Sequence, residues 1–471
     1  MKNNTLLIIF ASICCINTEA KAQLRLPSII SSGMVLQQND SASLWGWAGP
    51  GEKVTVSTSW NNHTDSTIAG SGAKWKLKVK TPAAGGPFTI SIASRNIIQL
   101  QNIMIGEVWV CSGQSNMEWS YNNGEKDMKA ELPVCATNSI HFFQVPKSTA
   151  DAPQGDVRAQ WVACDSNTIK SFSAVGYFFG KKLMQQLNVP IGLINTSWGG
   201  TPAEVWTPEG LVETEPQLKE AAGKLKTAAW WPIEPGLTYN AMIAPLTSFD
   251  IAGAIWYQGE SNTTTNDTYQ KLFTTMITAW RGAWKKEFPF YYVQIAPYKY
   301  GNNNIGALLQ EAQTKAMTHP NTGMVVITDL TDSVTNIHPS HKREVGGRLA
   351  NWALAETYKK PHIVYKNPEY KSAKIKDGIV TISFNNANNG FQVKDKIIKG
   401  FYISGAVENW QPAEAKQEKG KIIIFNKDIK DPLYIRYGFG NTLIGTVFST
   451  EGLPLTPFRT DALPVDQSPV K

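Results

Sequence analysis

An α/β fold is predicted for the middle of this chain: a mostly parallel sheet flanked by helices, with a β-sandwich on either side. Three observations predict it. Between about residues 105 and 360, short apolar runs alternate with helical patterns, which is the alternation parallel sheets require. Several of those runs stop abruptly in small polar residues, where an open α/β sheet holds its ligand. Before and after this region, short strands follow one another with only Gly, Pro and Asn turns between them.

The chain begins with a charged Lys2, an apolar run from Thr5 to Ile16, and the small-residue site Ala20-Lys21-Ala22. Residues 1–22 therefore read as a signal peptide. As a membrane anchor the run is too short and is interrupted by Asn17 and Glu19. No later stretch is apolar enough to span a bilayer. The mature chain is expected to be exported, to the periplasm or the extracellular medium. Losing the peptide removes two lysines and one glutamate, so the formal charge of +7 becomes +6. That modest surplus, with no Lys/Arg block, excludes a nucleic-acid footprint. Of five cysteines, Cys111, Cys135 and Cys164 remain. Three are too few for a disulfide framework: Cys135 and Cys164 are candidates for one bridge, and Cys111 reads as a buried small hydrophobe.

Residues 23–104 form the first β region, with runs such as Ala42-Ser-Leu-Trp-Gly-Trp47 and Lys53-Val-Thr-Val-Ser57. From 105 to 360, strands are expected at 107–111, 191–195, 252–257, 290–295 and 323–329. The clearest helix carries Tyr269, Leu272, Phe273, Met276, Ile277, Trp280 and Trp284 on one apolar stripe. Further helices are expected at 175–187 and 342–358. Residues 361–471 return to strands and form the second sandwich.

Four segments carry chemistry, each where a strand should end: Ser112-Gly-Gln-Ser-Asn116, Ser197-Trp-Gly-Gly-Thr201, Gln258-Gly-Glu-Ser-Asn262, and Asp329 to Pro339. Ser115 stands at the exposed end of a buried strand, where a serine acts as nucleophile if a base reaches it and amide donors face the carbonyl. The alternative is a helix cap. Gly199-Gly200 allows close backbone approach to a ligand or makes an ordinary turn. Glu260 and Asn262 can equally satisfy backbone groups. Of the six histidines, His63 and His362 fall in or beside the β regions, and His141 and His319 have no polar turn around them. His338, in a loop held by Pro339, is the better base; His341 suits a helix start. His338, His341 and Glu344 are spaced like metal ligands, but Pro339 argues against one continuous helix through all three; acyl transfer by a serine and a histidine needs no metal or other cofactor. Trp256, Trp280 and Trp284 read as core. Trp119, Trp198, Trp206, Trp230 and Trp231 lie near the motif loops and suit stacking on sugar rings, with Trp230-Trp231 as the best wall.

Together the four blocks resemble the sialate O-acetylesterase family of SGNH hydrolases. Pro27 to Trp47 is similar to the family's opening strands, and Glu451 to Arg459 to its closing segment. The resemblance implies an SGNH-type, flavodoxin-like sheet and a catalytic Ser115 and His338. It also implies an oxyanion hole from the Ser115 amide, a Gly199 or Gly200 amide, and a side chain of the Gln258–Asn262 turn. Related families often place Asp three residues before the histidine, where this chain has Thr335. Asp332 is the first substitute as orienting carboxylate, with Glu260 and Asp329 behind it; a Ser–His dyad oriented by a carbonyl stays open. The activity implied is hydrolysis of acetyl esters on sugars, O-acetylated sialic acids first, through an acetyl-enzyme. Arg281 and Arg348 are possible holders of the sugar's acid group. Alternatives are an acetyl xylan esterase or other glycan deacetylase, and a non-catalytic glycan-binding protein. A G-x-S-x-G elbow is disfavoured because Met117 takes the place of its second Gly.

Overall fold

The computed structural model describes residues 23–301, 304–393, 397–405 and 409–462. The predicted signal peptide lies outside the described residues. Seven strands form the middle of the largest sheet, in the order Thr322–Val325, Phe290–Val293, Gly253–Tyr257, Ile97–Gly113, Ile191–Ser197, Thr137–Gln144 and Trp161–Cys164. All neighbours run parallel except the last pair. The central strand is buried at every residue from Ile103 to Gly113. That explains its unbroken apolar character, since a parallel strand covered on both faces has no polar side.

The five predicted strands are present, and the first is much longer than its apolar run. Ile97–Gly113 begins in the N-terminal β region, where it pairs antiparallel with Gly85–Ala93, and ends in the parallel sheet. The boundary expected at 104 therefore falls inside one continuous strand. Two strands were not anticipated. Thr137–Gln144 carries His141 within its apolar residues, and Trp161–Cys164 is a short antiparallel edge.

Helices cover both faces. Ala174–Leu187 starts at Ser173, whose hydroxyl accepts from Gly176 N at 3.0 Å, a regular N-cap. The stripe of Asn266–Trp284 is buried throughout, and each such large side chain contributes about 1.5–3 kcal/mol by leaving water. Ile305–Ala316 went unforeseen, and Lys342–Trp352 continues as a wider turn over Ala353–Thr357. In the C-terminal region, Val380, Ile382, Ile422 and Ile424 from one antiparallel sheet share a core with Ile403, Ile435 and Tyr437 from another, a sandwich arrangement. Arg459 anchors this region by two bonds, 3.0 and 2.9 Å, to Glu311 of the central domain. The N-terminal region is tied in through Ser43 N, 2.7 Å from the Asp250 carboxylate.

Candidate active site

Strand register brings three strand ends together. Gly113 pairs with Ser197 on one side and Tyr257 on the other. The loops that leave these ends carry Ser115, Gly199-Gly200 and Gln258–Asn262. Gly113 has φ +136°, and a Cβ there would lie 2.2 Å from the Tyr257 carbonyl oxygen. Only glycine lets the chain turn this close to its neighbour. Gln114 N then donates to Tyr257 O at 3.0 Å, and Ser115 opens a single helical turn, Ser115–Glu118. The amides of Met117 and Glu118 both donate to Gln114 O. Those of Ser115 and Asn116 have no acceptor among the described residues, as expected at a helix start.

His338 arrives from the other side of the sheet, across 223 residues of chain, and its Nε2 lies 2.9 Å from Ser115 Oγ. Asn336 clamps the backbone of this residue: its Oδ1 accepts from His338 N at 3.0 Å and its Nδ2 donates to His338 O at 2.8 Å. Trp119 stacks on the imidazole with 3.8 Å between ring centroids and 24° between planes. Burial, with a smaller contribution from the Lys342 ammonium, pushes His338 down to about 4. The ring is therefore neutral at neutral pH, the state a general base needs.

None of the three proposed carboxylates meets the imidazole. Among the described residues no acid group lies within 4.0 Å of either His338 nitrogen. Asp332 Oδ2 instead accepts from Ser340 N and Oγ at 2.7 and 2.8 Å, while its Oδ1 is 3.0 Å from His341 Nε2. Burial opposes its ionisation, but these bonds hold the Asp332 carboxyl below its ordinary range. Asp329 makes a bidentate pair with Arg348 at 2.8 and 2.6 Å. Glu260, fully buried and raised by that burial, accepts from Asn116 Nδ2 at 2.6 Å.

The turn side chains expected in the oxyanion hole are also engaged elsewhere. Asn262 Nδ2 donates to Glu204 and Thr265, and its Oδ1 accepts from Ala203 N and Gln258 Nε2. Gln258 Nε2 is 2.7 Å from Asn262 and 3.3 Å from Thr201 O. Both side chains brace the loop and have no donor to spare. Gly199 N donates to the Glu118 carboxylate, which is itself paired with Lys147 at 2.6 Å. Besides the Ser115 and Asn116 amides, that of Gly200 also has no acceptor among the described residues. Gly199 packs against Ser115: a Cβ on it would be 3.3 Å from Ser115 Cβ. At Gly200, φ is +86° and an added Cβ would lie 2.3 Å from the Trp231 ring.

The tryptophans separate into two groups. Trp206, Trp256, Trp280 and Trp284 are buried. Trp119, Trp198 and Trp231 are half-buried around the loops, and Trp230 is 81% exposed. Trp198 Nε1 donates to Trp230 O at 3.0 Å, which fixes the pair to the Gly199-Gly200 loop. Neither arginine considered for an acid group is available. Arg281 is buried on the carbonyls of Phe288, Pro320 and Asn321, and Arg348 holds Asp329. Cys111, Cys135 and Cys164 are free and buried. No His/Cys/Asp/Glu group suited to a metal occurs among the described residues, and no helix there is long and apolar enough to cross a membrane.

Sequence reasoning overlooked Asn116, Glu118, Glu125 and Lys342. Asn116 stands inside the serine motif and was visible there. Lys342 begins a helix, where a lysine ordinarily reads as a solvated face, yet it is completely buried.

Comparisons with known proteins agree with this architecture. The chain matches the family described as carbohydrate esterase, sialic acid-specific acetylesterase over residues 105–355. It is 27% identical to the sialate O-acetylesterase of Rattus norvegicus over 86% of this chain and 87% of that protein. With that of Homo sapiens it shares 29% identity over 83% and 82%. It is similar to the crystal structure of a carbohydrate acetylesterase from Xanthomonas citri, with a TM-score of 0.86 and 32% identity, over 94% of this chain and 100% of that one. Fold and comparisons together define a carboxylic ester hydrolase built on a parallel α/β sheet. The chain belongs to the sialic acid-specific acetylesterase family of carbohydrate esterases.

Proposed function

We propose that the protein is an exported O-acetylesterase that removes acetyl groups from O-acetylated sialic acids by acyl transfer between Ser115 and His338. The single observation that carries this is the 2.9 Å contact between Ser115 Oγ and His338 Nε2, a nucleophile in hydrogen-bond reach of its base. Ser115 Oγ attacks the acetyl carbonyl carbon while His338 Nε2 takes its proton. The carbonyl oxygen becomes an oxyanion beside the free amides of Ser115 and Gly200; such fixed donors are worth about 3 kcal/mol each. As the intermediate collapses, the imidazolium returns the proton to the departing sugar oxygen and the acetyl group stays on Ser115. Water then attacks the acetyl carbonyl as His338 takes its proton; the acyl–Oγ bond breaks, the imidazolium returns that proton to Ser115 Oγ, and acetate leaves.

A base with no carboxylate beside it has a consequence. The imidazolium is costly to form, but once formed it is a strong acid towards the leaving alkoxide. The Trp119 stack and the Asn336 clamp take over the orienting task that a carboxylate performs in a triad. Export rests on residues 1–22 and is tested by finding Gln23 at the amino terminus of the secreted protein.

Ser115→Ala is expected to abolish acetate release from an O-acetylated sialic acid with the circular dichroism spectrum unchanged; undiminished turnover would remove the proposal. A second reading, deacetylation of a neutral glycan such as acetylated xylan, is favoured by the engagement of Arg281 and Arg348 in the scaffold. Relative rates of acetate release from the two substrates separate them.

A further inference from the structure

Directly behind the Ser115–His338 pair lies a buried charged cluster that the chemistry above does not use. Lys342 is completely buried, and its Nζ lies 2.6 Å from Asn116 Oδ1 and 3.9 Å from Glu125. The ammonium sits 5.5 Å above the Tyr257 ring. On the opposite side of Asn116, Nδ2 donates to Glu260 Oε1 at 2.6 Å and to Ile337 O at 3.0 Å. Both Glu125 oxygens and Glu260 Oε2 are buried without a hydrogen-bond partner among the described residues. A buried lysine with incompletely satisfied acids is a costly arrangement, and a hydrophobic replacement of such groups often stabilises a fold. Stability alone does not account for it.

The geometry does. Asn116 directly follows the nucleophile, and Ile337 directly precedes the base. The peptide between Ile337 and His338 is held by both edges: its carbonyl by Asn116 Nδ2, and its N–H by Asn336 Oδ1. An ammonium at one end of the Asn116 amide and a carboxylate at the other leave it a single orientation, with its donor turned to the Ile337 carbonyl. We infer that Lys342 and Asn116 are positioning residues that lock the backbone of His338 to the turn of Ser115. Through the main chain, they hold in place the peptide that Asn336 clamps and so support the orientation of an imidazole that lacks a carboxylate. This rests on the assignment of Ser115 and His338 given above.

The charge has a second effect on the same base. The groups that act on Lys342 are Glu125, Glu260, Asp332 and Asp127, and burial lowers Lys342 and raises Glu125. The residual positive charge, second to burial, helps keep His338 low. Removing it lets the imidazole take up a proton at higher pH.

Three variants of the full mature chain test this: Asn116→Ala, Lys342→Met and Lys342→Arg. Measurements are kcat and KM for acetate release, the pH profile of kcat/KM, and thermal unfolding. Asn116→Ala is expected to lose about 10²-fold in kcat with KM within about threefold, the signature of a misplaced base. Lys342→Met is expected to lose kcat similarly and to move the acid limb of the profile upward, with Lys342→Arg recovering part of both. If Lys342→Met does not fold, Lys342→Met with Glu125→Gln removes charge and counter-charge together and carries the same test. Folded Asn116→Ala and Lys342→Met proteins with wild-type kcat and an unmoved acid limb overturn the inference. So does a loss that merely follows the folded fraction. In either case a wild-type enzyme that labels at Ser115 with a fluorophosphonate leaves the esterase proposal standing, whereas an inert wild type overturns both.

Discussion

The depressed basicity of His338 has a consequence that a pH profile reads directly. At pH 5, a base ionising at about 4 is about 90% neutral, whereas one at the ordinary 6.5 is about 3% neutral. The enzyme is therefore expected to keep about 30-fold more of its kcat/KM at that pH than one with an unperturbed histidine. The structural causes are burial first and Lys342 second, with Trp119 covering one ring face at 3.8 Å. Trp119→Ala readmits water to that face and should carry the acid limb back towards 6.5. Stability follows the same sign. Because the folded chain binds this proton less readily than the unfolded one, stability present above about pH 6.5 is lost as pH falls through about 4. The assay is kcat/KM for acetate release across the acid range, in wild type and Trp119→Ala. A wild-type limb centred near 6.5, or a limb indifferent to Trp119, would mean that His338 is not held low by its buried setting.

Three further outcomes are expected. Asp332→Asn should change kcat by no more than about threefold in steady-state assays, because its carboxylate serves Ser340 and His341; an orienting triad carboxylate would cost about 10⁴-fold. Gly200→Ala should lower kcat about 10²-fold, since the methyl group meets Trp231 and the strained φ displaces an oxyanion donor; single-turnover rates show whether the loss lies in the chemical step. Trp230→Ala should raise KM about threefold to tenfold with kcat unchanged, the loss of a stacking face used equally in ground and transition states.

Much of this fold could be read from its residues. Five of the six parallel strands in the middle of the largest sheet announced themselves as apolar runs, because a strand covered on both faces has no reason to alternate. Helix Asn266–Trp284 declared its buried stripe through spacing alone. Thr137–Gln144 escaped because His141 interrupts its apolar residues, although the histidine is itself buried there with Nδ1 bonded to the Gly33 carbonyl. The boundary at 104 failed because one strand serves two regions, and composition does not change along a strand that only changes partners. At the candidate site, the sequence singled out Ser115 and His338 from the turns that carry them, and the structure brings the two side chains to 2.9 Å. The side chains of Gln258 and Asn262 were misassigned because sequence cannot distinguish an amide aimed at a ligand from one bracing its own loop. Asp332 was misassigned because two histidines three residues apart compete for one carboxylate, and His341 is the one it meets. Lys342 was invisible for a related reason: a lysine at a helix start is expected in water, and only the packed structure reveals its place beside Asn116.

The Ser115–His338 pairing is tested most directly by the rate of fluorophosphonate labelling, followed by peptide mapping, in wild type and His338→Ala. Stoichiometric modification of Ser115 is expected in the wild type, with labelling at least about 10³-fold slower without the imidazole. Modification at another residue, or an equal rate in His338→Ala, would contradict that pairing.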